Sequence, residues 1–344
     1  MLTIRDIATL AGVSRSTVSR VLNNSTSVNE ETRLLVKKVM EEQGYRPNVH
    51  AQSLTNKGAK TIGVVIPEML DPFFATMSAG IEKICQQSKT HILLAVGGKT
   101  AETELAAIHN LVRQQCDAVV VHAKVASDEQ LVSIAERLPG FVLVNRYIKK
   151  IASRCVWLNN KEGGRLAAEY LLKQNKKAIA IVASNFGIAD PQQRIAGVKQ
   201  AHIEASVPHN ESAIAIAHPN REGGALAAQK LLLTGQCFDA VVCYNDLMAI
   251  GVIQTLQENG IKVPEQVSVM GFDDLPIAAY CTPRLTTIRY PIEQMAAQAA
   301  RLALFKVQGF KAQEGFNKTG ASDGVQVGES RQDYQPVLVV RESG

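Results

Sequence analysis

Residues 3–23 read Thr3-Ile4-Arg5-Asp6-Ile7-Ala8-Thr9-Leu10-Ala11-Gly12-Val13-Ser14-Arg15-Ser16-Thr17-Val18-Ser19-Arg20-Val21-Leu22-Asn23. Ile4, Ile7, Ala8 and Ala11 recur at i, i+3, i+4 and i+7, which predicts a short helix with one apolar face. Gly12-Val13-Ser14 ends it, since glycine accepts positive φ and Ser14 can cap the next helix. That second helix, over about Arg15 to Asn23, buries Val18, Val21 and Leu22 and leaves Arg15, Ser16, Ser19, Arg20 and Asn23 polar. Two short helices joined by a glycine-containing turn make a helix-turn-helix. In that motif the second helix reads base edges near its N-terminus and other side chains hold phosphate. Arg15 and Ser16 stand at the reading end, and Arg20 lies about one turn further along. A third helix starts near Asn29, with Glu30 and Glu31 at its positive end, and stops at Gly44. A three-helix bundle with a solvated basic face fits the same pattern.

The charge balance sharpens this reading. The chain of 344 residues is too long for one small fold and carries a net charge of +5. Residues 1–60 hold nine Lys/Arg against five acids, so almost all of that excess sits in the head. A basic head on a nearly neutral body points to an anionic partner. No apolar run approaches the roughly 18 residues of a membrane span, and Arg5 and Asp6 interrupt the start where a signal peptide would be apolar. A cytoplasmic protein without membrane insertion is expected. Cys85, Cys116, Cys155, Cys237, Cys243 and Cys281 follow neither a zinc nor a disulfide spacing. Reduced thiols, no metal and no cofactor are expected.

From residue 61 the pattern alternates. Thr61–Ile66, His91–Val96, Ala118–Val121 and Phe141–Val144 are short apolar runs of the kind that buried parallel strands show. Helical stretches such as Ser78–Gln87 and Glu102–Gln115 separate them. The alternation resumes with Ala178–Val182, Ala213–Ile216, Ala240–Cys243 and Val267–Met270. Two doubly wound parallel α/β sheets in succession are predicted behind the α-helical head. Gly163-Gly164-Arg165-Leu166-Ala167-Ala168 is echoed by Gly223-Gly224-Ala225-Leu226-Ala227-Ala228. Duplication and shared packing needs account for the echo equally well.

Ligands of open α/β sheets bind at the carboxyl ends of the strands. The polar residues there are Asp71, His122, Asn145 with Arg146, Asn245 with Asp246, and Asp273 with Asp274. Arg194 is read as opening a helix beyond a strand, Tyr290 follows the run Thr286–Arg289, and Phe73 and Phe74 offer an apolar plate. Asn, Asp and Arg suit a hydroxyl-rich ligand. Each is equally a cap or turn residue by itself, so the clustering carries the reading. Gly97-Gly98-Lys99-Thr100 stands where a phosphate loop would, but Leu93 occupies the position of its first glycine. There is no Gly-x-Ser-x-Gly elbow and no His-Glu-x-x-His, so a non-enzyme is expected. A cytosolic α/β sugar enzyme with a DNA-binding head is the alternative from another class.

The head sequence resembles the lactose/galactose repressor family of bacterial transcriptional regulators. Gly44-Tyr45-Arg46-Pro47-Asn48 and Ala51-Gln52-Ser53-Leu54 extend the match through residue 55. The resemblance implies a DNA-binding set of Thr3, Arg15, Ser16, Thr17, Arg20, Asn23, Asn48, Ala51 and Leu54. It also implies that the polar linker becomes a helix on operator DNA, with Leu54 wedged into a minor-groove base step. The body fits the family too, and through it the periplasmic sugar-binding fold. The matching segments are Asp71-Pro72-Phe73-Phe74, Val144-Asn145-Arg146, Arg194-Ile195-Ala196-Gly197, Tyr244-Asn245-Asp246, Gly271-Phe272-Asp273-Asp274 and Leu285–Arg289. Arg113–Val121 and Pro139–Arg146 resemble the galactose-regulator branch, whereas Ile148-Lys149-Lys150, Val156-Trp157 and Val263–Val269 resemble regulators of β-glucoside use.

The family reading divides the chain into a head (1–46), a hinge (47–60) and a sugar-binding, dimerising body (61–344). Within the body, one lobe takes about 61–159 and 288–320, and the other about 160–287 plus the last strand. A homodimeric repressor of double-stranded operator DNA under control of a small sugar, galactose or a related glycoside, is implied. No leucine heptads close the chain, which favours a dimer over a tetramer. The polar insert 311–335 departs from the family and is expected to be mobile.

Overall fold

A computed structural model describes residues 2–22, 25–45, 61–235, 237–308 and 333–344. Asn23, Asn48, Ala51, Leu54 and all but the last three residues of the insert 311–335 lie outside the described residues. The chain forms two compact units that divide after Gly58.

The first unit holds α1 (Ile4–Leu10), α2 (Arg15–Leu22) and α3 (Glu30–Glu42). Ile7, Ala8, Ala11, Val18, Val21 and Val36 form its core. Thr3 and Asp6 form a capping box on α1, and Asn29 caps α3 through the Thr32 N–H. Ser14 caps α2, its Oγ accepting from the Thr17 N–H at 3.1 Å. Gly12 has a φ of +64° and makes the turn the sequence reserves for it.

The second unit begins with β1 (Thr61–Ile66), α4 (Pro72–Gln87), β2 (His91–Val96), α5 (Ala101–Arg113) and β3 (Ala118–Val121). It continues through α6 (Asp128–Arg137), β4 (Gly140–Val144), β5 (Cys155–Leu158), α7 (Asn160–Lys173), β6 (Ile179–Ser184) and α8 (Ala189–Glu204). Next come β7 (Ile214–Ala217), α9 (Arg221–Leu233), β8 (Ala240–Cys243), α10 (Asp246–Glu258), β9 (Ser268–Asp273) and the short α11 (Ile277–Tyr280). The described chain closes with β10 (Thr286–Arg289), α12 (Ile292–Gln308), β11 (Asp333–Tyr334) and β12 (Val337–Val339).

The strands make two six-stranded sheets, ordered β11-β5-β4-β3-β1-β2 and β12-β10-β9-β8-β6-β7. Each sheet therefore has the same parallel core, in which the first strand of the lobe lies between its second and third. That reversal of strand order is a topological switch point, where loops splay apart and leave a crevice. β12 runs antiparallel to β10. β10 pairs with β9, so the return to the first lobe falls after Arg289, and α12 then packs on α4 and β4. Asp333 and Tyr334, within the expected insert, instead pair in parallel with Trp157 and Leu158 of β5. Among the described residues the chain passes between lobes three times, each through one or two residues: at 159, at 290–291 and at 335–336. Such short crossings suit a hinge.

The echoed Gly-Gly segments have a shared physical cause. A Cβ on Gly164 would lie 2.1 Å from the Arg194 carbonyl oxygen, and one on Gly224 would lie 2.1 Å from that of Met248. In both places a helix packs directly against the next helix, α7 on α8 and α9 on α10, and only glycine permits the approach. One apolar run departs from the expected burial. β2 is an edge strand, with Ile92, Leu93 and Val96 exposed by 37%, 39% and 47%. An apolar run reports an uncovered edge and a buried centre alike. No helix among the described residues is long and apolar enough to cross a membrane.

Candidate functional site

In the head, Arg15 is the first residue of α2, and Arg15, Ser16 and Arg20 are all exposed. Among the described residues neither Arg15 nor Arg20 makes an ion pair. Arg33 does, and is structural: it donates to the Ser25 carbonyl at 2.7 Å and to Glu30 at 3.2 Å. The hydroxyls of Ser16 and Thr17 lie 2.7 and 2.8 Å from the Ser14 Oγ, at the start of the helix. Thr3 donates its hydroxyl to Asp6 at 2.7 Å, and the hydrogen bonds from Thr3 hold the Asp6 carboxyl below its usual range. The exposed face of α2 is thus a basic helix end with small hydroxyls around it.

In the body, a cleft of about 360 Å³, counted out to its open mouth, lies between the strand ends of the two lobes. Asp71 caps α4, its Oδ1 accepting from the Phe73 N–H at 2.9 Å, and burial raises its carboxyl pKa. The cap aims Phe73 and Phe74 inward. Phe73 packs edge-on against Phe74, His122 and Tyr290 at centroid distances of 5.3, 5.7 and 5.1 Å. Burial, with Lys124 nearby, holds the His122 pKa well below the usual value, so the imidazole is neutral. Neither His122 nitrogen, nor Asn145 Oδ1, nor the Tyr290 hydroxyl has a hydrogen-bond partner among the described residues, although all are buried. Buried polar atoms are normally satisfied, and four left unsatisfied around one cleft mark a place for a hydrogen-bonding ligand.

The second lobe supplies charge. Arg194 is buried in the second turn of α8 rather than opening it, its guanidinium 3.5 Å from the Phe272 ring centroid and 4.4 Å from that of Tyr244. It donates to Asn160 at 2.9 Å and to the Tyr244 carbonyl, which fixes the plane it presents. Its Nη1 lies 4.0 Å from Asp273 Oδ1. Asn145 has a φ of 59°, in the left-handed region that Asn accepts readily, whereas Asp273 has a φ of 110°, a strained conformation for a residue with a side chain. Burial drives the Asp273 carboxyl pKa well up, and Arg194 opposes the rise. Across the cleft, Asn145 donates to Asp190 Oδ2 at 2.6 Å.

The cleft brings together Asp71, Phe73, Phe74, His122, Asn145, Arg194, Asn245, Asp273 and Tyr290, all sequence candidates. Asn245 has its side chain spent on structure, accepting from the Met248 N–H at 2.9 Å and donating to the Pro219 carbonyl at 3.0 Å. Arg146 is not among the lining residues. It turns away to the Ala126 carbonyl at 2.8 Å and to Asp128 at 2.7 Å. Sequence reasoning missed Lys124, Phe186, Tyr244 and Asp190. Lys124 stands two residues after His122 at the same strand end, and its ammonium lies 5.3 Å from the Phe186 ring centroid. Burial lowers its pKa, while Asp190, Asp273 and Asp71 act to raise it. Asp190 precedes Arg194 by one helical turn, which places both on one face.

Residues 3–48 match the family described as bacterial regulatory proteins, lacI family, and residues 168–330 match a periplasmic binding protein-like domain. The HTH-type transcriptional regulator GalR of Salmonella typhimurium strain LT2 is 42% identical over 304 residues, covering 88% of this chain and 89% of the relative. GalS of the same strain, also an HTH-type transcriptional regulator, shares 42% over 304 residues with the same coverage. The fold matches that of the Lac repressor dimer bound to operator and the anti-inducer ONPF, with a TM-score of 0.84, 24% identity, and coverage of 99% of this chain and 98% of that one.

Proposed function

The chain belongs to the lacI family of bacterial regulatory proteins, and on that premise we propose that it is a cytoplasmic, homodimeric repressor governed by a small sugar. It is a DNA-binding transcriptional regulator with a sugar-binding type of body, as its relatives are regulators and not enzymes. The sugar in this reading is galactose or a related glycoside, held between the lobes. The observation that carries it is the set of buried, unsatisfied polar atoms facing the Arg194–Asp273 pair across one cleft. Ring hydroxyls are both donors and acceptors. They answer His122, Asn145 and Tyr290 on one side and a carboxylate and guanidinium on the other, while Phe73 and Phe74 cover the apolar face of the ring.

A ligand that touches both lobes favours the closed arrangement. Tyr290 stands on one of the crossings, so the same contact bears on the hinge. Moving operator occupancy from 99:1 to 1:99 needs roughly 5.5 kcal/mol of differential affinity, which two sugars per dimer share. The uncovered apolar side chains of β2, together with Ile216, Leu226 and Leu233 of the second lobe, support pairing with a second copy. On DNA, Arg15 and Ser16 read bases, Arg20 holds phosphate, and Thr3, Thr17, Asn23, Asn48, Ala51 and Leu54 complete the contact set.

Calorimetry with D-galactose and β-glucosides tests this reading. Wild-type protein binds one of them, and Asp273→Ala binds it far more weakly. If Asp273→Ala and Arg194→Ala both bind like wild type, the sugar site lies elsewhere. For the head, Arg15→Ala should lower operator affinity by about 1–3 kcal/mol. Arg20→Ala should weaken all DNA sequences alike and flatten the salt slope by about one unit. Unchanged affinity in both, measured by titrating labelled DNA across salt concentrations, would remove these residues from the interface.

A further inference from the structure

The turn Gly97-Gly98-Lys99-Thr100, to which the regulator reading gives no role, stands beside a buried carboxylate. Glu104 lies in the first turn of α5 and is 1% exposed. Its Oε2 accepts from the Lys124 N–H at 2.7 Å and its Oε1 from the Ala126 N–H at 2.9 Å. The Val125 N–H lies between them, 3.4 and 3.3 Å from Oε1 and Oε2. Three successive N–H groups thus converge on one carboxylate, in charge-assisted bonds stronger than neutral ones. Gly97 packs beside it: a Cβ there would stand 3.4 Å from Glu104 Cα and Cγ, an ordinary contact, and a tighter 3.2 Å from Val65. From the other side, Arg146 holds the Ala126 carbonyl at 2.8 Å and Asp128 at 2.7 Å.

The segment pinned in this way carries Lys124 into the cleft. Among the described residues, the Lys124 ammonium has no carboxylate within ion-pair distance, though Asp190, Asp273 and Asp71 act on it from further away. A half-buried ammonium in that position has donors left for a ligand oxygen. Its backbone gives it little freedom to move, because Glu104 holds the next two residues as well.

We propose that Glu104 is a positioning residue for sugar recognition, fixing the path of residues 124–126 so that Lys124 donates to a ring hydroxyl. The inference rests on the sugar-cleft reading and adds to it a residue that touches no ligand. It is tested by calorimetry with D-galactose on wild type, Glu104→Gln, Lys124→Met and the double variant. Glu104→Gln keeps the shape but turns an amide toward N–H donors. Each single variant should bind galactose about tenfold to a hundredfold more weakly. With Lys124 already gone, Glu104 has nothing to position. The double variant should therefore match Lys124→Met within about twofold, the margin of ordinary additivity. A double variant weaker by the product of the two single losses would show a merely structural role and overturn the proposal, as would wild-type affinity in Glu104→Gln. If Glu104→Gln does not fold, Glu104→Asp keeps the charge and runs through the same cycle with a smaller loss and the same criterion. Failure of wild-type protein to bind galactose or any β-glucoside would instead overturn the cleft reading beneath it.

Discussion

The two lobes of the body share one strand order and differ in what their loops bring to the cleft. The first lobe supplies rings and neutral polar atoms (Phe73, Phe74, His122 and Asn145), with charge only on Lys124 and the capping Asp71. The second supplies the charged set Asp190, Arg194 and Asp273 together with two rings of its own, Phe186 and Tyr244. One scaffold used twice has therefore given two half-sites of different chemistry, each placed by the same switch point. In the proposed sugar complex the difference divides the work. The charged lobe fixes the direction of hydroxyls, while Phe73 and Phe74 of the first lobe cover the ring and that lobe's neutral polar atoms answer the hydroxyls left over.

Substitutions in the two lobes should separate these roles. The largest effect is expected in the charged lobe, where Arg194→Ala removes a buried donor and leaves Asp273 without its counter-charge. Sugar affinity should fall about a hundredfold, measured by calorimetry. Equal losses from Arg194→Ala and from a ring substitution would break the division. His122→Phe keeps the edge-on packing and removes two polar atoms, so its loss should be nearer tenfold.

That variant also carries a pH signature. The folded state keeps His122 neutral because burial holds its pKa well below 6.5. The unfolded chain takes up a proton there as pH falls past about 6.5, and the folded chain does not. Stability is therefore lost on acidification through that window, by up to about 1.4 kcal/mol per pH unit for this group. His122→Phe should lose less stability than wild type between about pH 7 and pH 5, as denaturant titrations at each pH would show. The smallest effect on sugar is expected from Asn245→Ala, whose side chain serves the helix cap. It should lower stability by about 1 kcal/mol and leave the enthalpy of sugar binding nearly unchanged. A loss of sugar affinity as large as that of Arg194→Ala would move Asn245 into the contact set.

The head was legible in the sequence because its signals are local. The spacing of Ile4, Ile7, Ala8 and Ala11, the turn at Gly12 and the cap at Ser14 each act within one helical turn. The two sheets were legible for a similar reason, since short apolar runs between helical stretches leave few other topologies. Edge position was not, because β2 and β3 are equally apolar and only pairing tells them apart. Near the cleft, Arg146 and Lys124 are both basic residues just beyond strand ends, yet only Arg146 stands out in the sequence, beside Asn145. The direction of each side chain was settled by distant partners: Asp128 and the Ala126 carbonyl draw Arg146 away, and Glu104 pins the backbone of Lys124. Asp71 shows the remaining ambiguity resolved both ways, as a cap that also lines the site.

The central claim is that a sugar held by both lobes sets the grip on DNA. It is tested most directly by the anisotropy of a labelled operator, selected from random-sequence DNA, titrated with D-galactose in the presence of wild-type protein and of Arg194→Ala. Both proteins should bind the operator equally without sugar. Galactose should change wild-type occupancy, with the midpoint shifted about a hundredfold higher in Arg194→Ala. Coincident midpoints, or a wild-type protein that binds galactose while its operator affinity stays fixed, would contradict the account.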